Sequence, residues 1–126
     1  MSHVSRAKTK IRKPNPQLLK KACEITAEEL KLQIVDTKVA SGRWVRVRGD
    51  IIMMKGSEPI AIVMGEEGLE VQGDTYVLGN LLNEVRDTLQ KNYIGLAIMH
   101  SAMRAGFRVA QTQLDKEKLV GVMVRG

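Results

Sequence analysis

Two histidines, His3 and His100, a lone Cys23 and fourteen acidic side chains set the limits on what chemistry this chain can carry. A Ser-His-Asp or Cys-His arrangement needs a histidine beside Cys23 or a serine, and no spacing suggests one. His100 falls near the apolar stripe of a helical stretch, where a packed or boundary histidine is the expectation. Zinc wants four Cys or His ligands in paired spacing, and only three such residues occur, widely separated. Met53-Met54 and the pair Met99 and Met103 (i, i+4) read as gap fillers in a chain with few aromatics, rather than as copper ligands. No Gly-x-x-x-x-Gly-Lys-Ser/Thr loop is present, and Gly65-Glu66-Glu67-Gly68 places carboxylates where a phosphate would sit. Glu66, Glu67, Glu70 and Asp74 have the composition of a cation site or an acid–base pair, but they fall in turns and on a strand's wet face. No catalytic residue, metal or cofactor is therefore assigned.

Basic side chains offer more. Arg6, Lys8, Lys10 and Arg12 alternate along one stretch, with Lys20 and Lys21 close behind. Arg43, Arg46 and Arg48 extend that surface if the two strands are neighbours. Residues 1–48 carry twelve Lys and Arg against four acids, a net +8, while residues 49–126 carry a net −2. Such a dipolar molecule steers polyanions toward one end. A nucleic-acid backbone, an anionic protein or an acidic membrane surface would each be drawn there, and a solvated face with no partner is the plain alternative. His3, close to Ser5 and Lys8, joins this set as a phosphate or partner contact, or as a strand-end residue capped locally. Aromatic content of 3% argues against base stacking.

The elements that must position these groups follow from periodicity. Ser5–Arg12 reads as a polar edge strand. Asn15-Pro16 starts a helix over about 16–24, with Leu18, Leu19, Ala22 and Cys23 on its apolar face and Ile25 at the margin of that face. Leu30–Val39 and Trp44–Arg48 pair around Ala40-Ser41-Gly42, Asp50–Lys55 with Pro59–Met64 around Gly56, and Leu69–Val71 with Thr75–Leu78 around Gly73-Asp74. Residues 80–105 form a long amphipathic helix that a kink at Gly95 would interrupt. Phe107–Leu114 and Leu119–Arg125 close the chain as a hairpin. The expected fold is one α+β domain over residues 1–126, an antiparallel sheet packed by one short and one long helix. Leu30–Gly49 lies on Phe107–Gly126 without gaps, which raises the reading of two β-α-β-β units with an inserted hairpin.

Met1-Ser2-His3-Val4-Ser5-Arg6-Ala7-Lys8-Thr9-Lys10-Ile11-Arg12 resembles the opening of the hypothetical chloroplast reading frame thirty-five family, small plastid, cyanobacterial and other prokaryotic proteins of unknown function. Leu18-Leu19 with Ala22 are similar to that family's first helix. Tyr93, Ala102, Gly106-Phe107 and Val109 are similar to its long helix and the following strand. The resemblance covers about half the chain, with residues 27–75 matching loosely; it implies a compact α+β domain, and because that family has no settled activity it brings no catalytic residues.

The expected protein is a small, non-enzymatic, cytosolic module that binds another macromolecule as an adaptor, with sequence-independent nucleic-acid binding as the alternative. The apolar run Ile51–Met64 is expected to serve self-association or a partner surface if it is exposed. The opening residues lack a signal peptide's apolar stretch, and no run approaches the length of a membrane span.

Overall fold

A computed structural model describes residues 4–109 and 123–125. The chain runs β1 (Ser5–Lys8), α1 (Pro16–Leu30), β2 (Gln33–Val35), β3 (Val39–Ser41), β4 (Arg46–Arg48), β5 (Ile51–Lys55), β6 (Glu58–Gly65), β7 (Gly68–Gly73), α2 (Thr75–Leu78), α3 (Leu81–Arg104), β8 (Phe107–Val109) and β9 (Met123–Arg125). This is the α+β class that the element pattern predicts.

Helix α1 begins as its sequence dictates. The Asn15 side chain accepts from the backbone N–H groups of Gln17 and Leu18, and Pro16 fills the first helical position. It runs to Leu30, past the expected stop near residue 24. Thr26 is absorbed because its Oγ1 donates to the Ala22 carbonyl at 2.7 Å, and Thr26 and Ala27 continue the buried face. The helix ends at Lys31 in a left-handed conformation (φ 59°), with Leu32 N–H returning to the Ala27 carbonyl at 2.7 Å. Glycine usually takes that role, so the sequence carries no visible stop.

Five strands form an antiparallel sheet in the order β1-β7-β6-β5-β2. The β5–β6 hairpin matches the sequence reading. The expected third hairpin does not form: β7 pairs with both β6 and β1, and Thr75–Leu78 is a helical turn. Asp74 decides this, since its buried carboxylate accepts from Tyr76 N–H at 2.9 Å and caps α2. Leu30–Val39 likewise divides. Leu30 closes α1, Gln33–Val35 joins β5, and Val39–Ser41 pairs with β4 as a separate two-stranded sheet. Between them Thr37 Oγ1 donates to the Val39 carbonyl, a local turn that competes with a continuous strand.

The central sheet is covered on both faces. Ala7, Met53, Ile60, Ile62, Leu69 and Val71 pack on Leu19, Ala22 and Cys23 of α1 and on Leu82, Val85 and Leu89 of α3. Ile52 and Ala61 point the other way, against Val45 and Val47 from the β3–β4 hairpin. Strands buried on both sides read as near-continuous apolar runs. The Ile51–Met64 hairpin is therefore largely core, and the apolar surface it leaves open is chiefly Met64, with Ile51 partly exposed. Helix α3 passes Gly95 unbroken. Among the described residues, the stretches 30–49 and 107–126 differ in their elements. Phe107–Val109 is a strand paired with β9, whereas its counterpart, Leu30–Leu32, is a helix end, and β4 pairs with β3 instead. The span 110–122 of the expected closing hairpin lies outside the described residues.

Candidate functional site

The predicted basic surface is divided by the fold. Ala7 faces the helices, so Arg6 and Lys8 on the same strand face the layer that holds β3–β4. Both are exposed, and both meet carboxylates that β7 and the turn before it bring alongside. Lys8 Nζ lies 2.8 Å from Glu67 Oε2, and Arg6 Nε lies 4.0 Å from Glu70 Oε1. The Lys8–Glu67 hydrogen bond and the attraction between the two charges raise the lysine's pKa and lower the carboxylate's. Lys10 and Arg12 lie beside Glu66 and Glu67 in a pocket of mixed charge, about 800 Å³ in volume. Lys20 and Lys21 sit on α1, in the layer on the opposite side of the sheet from Arg46 and Arg48 of β4. The eight described residues of this set thus fall on more than one surface, and His3 lies outside the described residues.

The acids differ from their sequence reading as well. Glu66 and Glu67 are exposed in the β6–β7 turn, but Glu70 and Asp74 are buried. Glu70 Oε1 accepts from Gln72 Nε2 at 2.7 Å, and Asp74 is the cap of α2. The four do not converge on one point, and no metal-binding cluster of His, Cys, Asp or Glu occurs among the described residues. His100 is exposed rather than packed. Burial pushes the Cys23 thiol up to about 12, so at neutral pH it is a protonated apolar filler.

A cleft of about 750 Å³ lies where the first half of α1 stands over the β2 end of the sheet. Pro16, Leu19 and Cys23 form its helical wall, Ile34 and Val35 of β2 its strand wall, and Ile51 and Met64 its floor. Lys20, Glu24, Asp36, Lys38 and Asp50 form a polar rim. Ile34 is 38% and Met64 42% exposed, which leaves apolar surface open inside the cleft. β2 pairs with β5 on one side, and among the described residues nothing pairs with its other edge. This cleft draws on residues 14–24, 34–38, 50–51 and 64, a combination without a sequence signature.

A second feature is the tip of the β3–β4 hairpin. Gly42 N–H donates to the Val45 carbonyl at 2.7 Å, closing the loop. Arg43 N–H donates to Oε1 of buried Glu58 at 2.9 Å, which ties the loop to the start of β6. The Arg43 guanidinium lies 5.2 Å from the centre of the Trp44 ring, and Trp44 is 58% exposed. Val45 and Val47 anchor in the core while Arg46 and Arg48 point outward. Low aromatic content hid this: two of the few aromatics, Trp44 and Tyr76, are exposed, and Gly42-Arg43-Trp44 between alternating strands was the available signal.

No family model matches this chain, and neither the curated proteins nor the solved structures contain a match to it. No helix among the described residues is long and apolar enough to cross a membrane.

Proposed function

We propose that the chain is a non-enzymatic docking module that recruits a partner protein by holding a short extended peptide in the cleft between α1 and β2. The carrying observation is the open strand edge beside an apolar cleft. An extended segment laid along Gln33–Val35 gains backbone hydrogen bonds from the edge and places alternate side chains toward the helix. An aliphatic or aromatic anchor suits the walls of Leu19, Ile34 and Met64, while the mixed-charge rim sets orientation. A raised thiol pKa at Cys23 supports a packing role for the sulfur in that wall, as opposed to a nucleophilic one.

The test is selection of extended peptides from a display library against the wild-type protein, followed by affinity measurement on Ile34→Glu and Met64→Glu. Both positions are partly exposed, so the fold tolerates the charge. The reading expects apolar-anchored peptides whose affinity falls at least about tenfold in either variant, with new amide-exchange protection along Gln33–Val35. Peptides that bind both variants like wild type would place the docking site elsewhere.

A further inference from the structure

We infer that the β3–β4 hairpin is a binding surface for single-stranded nucleic acid, on which a base stacks on Trp44 while Arg43, Arg46 and Arg48 neutralise backbone phosphates. This surface is separate from the peptide cleft, apart from Lys38, which also stands on the cleft rim.

Charge is the first argument. Residues 37–49 contain Lys38, Arg43, Arg46 and Arg48 and no acid. All four are exposed, unlike Glu58, which is buried beneath the loop and bonded to Arg43 N–H. By contrast Lys8, on β1, has a carboxylate at 2.8 Å, so its charge is already answered within the protein.

Geometry is the second. Arg46 and Arg48 are two residues apart on one strand and project from the same face, so their stems repeat at about 6.7 Å. That repeat is comparable to the spacing of successive phosphates along an extended single strand. Trp44 stands at the start of this row, stiffened by the guanidinium of Arg43 and by a loop clamped at Glu58. An exposed indole flanked by arginines is a stacking platform, and stacking needs an unpaired base with an open face, which a duplex interior does not present. Directly after β4, Gly49 lies against Ile62 and Ala61 with no room for a side chain.

Trp44 is the only tryptophan, so intrinsic fluorescence reports on this site directly. The wild-type protein is titrated with a short oligothymidylate, with inorganic polyphosphate of matched charge, and with vesicles rich in anionic lipid. The expected result is saturable quenching by the oligonucleotide alone, with polyphosphate competing but leaving the indole unquenched. Three neutralised phosphates predict affinity falling about 20-fold between about 50 and 200 mM salt. Measured by anisotropy of a labelled oligonucleotide, Trp44→Ala is expected to weaken binding about tenfold to a hundredfold, and Trp44→Phe less. Arg46→Ser with Arg48→Ser should flatten the salt dependence. Binding that Trp44→Ala leaves unchanged, binding lost only on Arg6→Ser with Lys8→Ser, or no binding at low salt would each overturn the assignment. Vesicles that perturb Trp44 more strongly than the oligonucleotide would overturn it in favour of a membrane surface. Ile34→Glu, which blocks the cleft, is expected to leave oligonucleotide binding intact.

Discussion

Asn92 occupies a position on α3 where the helical stripe calls for an apolar residue, and it is fully buried. Its Nδ2 donates to Thr26 Oγ1 at 3.0 Å and to Glu29 Oε1 at 3.2 Å, joining α3 to α1. Among the described residues its Oδ1 has no partner. Asn92→Ala removes a neutral hydrogen bond worth about 1 kcal/mol and one to a carboxylate worth about 1.5–3 kcal/mol, and it leaves a small void. It also relieves the orphaned carbonyl, which offsets about 1–3 kcal/mol. The net expectation is a loss of about 2 kcal/mol. Asn92→Leu fills the void and removes the orphan too. Thr26 keeps its bond to Ala22, and Glu29 keeps Lys91 at 3.4 Å, so this variant should lie within about 1 kcal/mol of wild type. Urea unfolding with a common m-value measures both. A leucine variant as unstable as the alanine one would refute the reasoning, because it would mean that the amide is fully satisfied and that the polar link itself holds the helices.

Gly68→Ala should destabilise by about 2–4 kcal/mol in the same assay, since φ is +131° and the added carbon would sit 2.5 Å from the Ile11 carbonyl oxygen. Cys23 should resist thiol reagents in the native state and react at the rate of opening. Its raised pKa means that stability from the buried neutral thiol is full below the unfolded thiol's pKa and is lost as pH rises toward about 12. Lys8→Ala should return the Glu67 titration, followed by NMR, upward toward an ordinary glutamate. The contribution of that lowered carboxylate is present above the unfolded pKa and disappears as pH falls through the folded one.

Local patterns carried much of the fold. The leucine and valine stripe of α3, the β5–β6 hairpin and the Asn15-Pro16 start of α1 are each encoded within a few residues of themselves. What escaped depends on competition or on distance. Lys31 stops α1 in a conformation usually left to glycine, and Asp74 serves a helix cap where Gly73-Asp74 looks like a hairpin turn. Asn92 interrupts an apolar stripe for a partner 66 residues away. The site was legible only in part. Arg6, Lys8, Arg46 and Arg48 stood out by alternation, but the acids that answer β1 arrive through pairing across about sixty residues of sequence. The apolar cleft is assembled from several distant segments, so periodicity could not reveal it.

The most direct test of the docking account is a methyl NMR titration of the protein with a peptide selected as above. Ile34, Ile51 and Met64 line the cleft, whereas Ile94, Ile98 and Met103 are partly or largely exposed on α3 and serve as internal controls. The account predicts saturable shifts confined to the first three. Shifts that appear first, or equally, on the α3 methyls would contradict it.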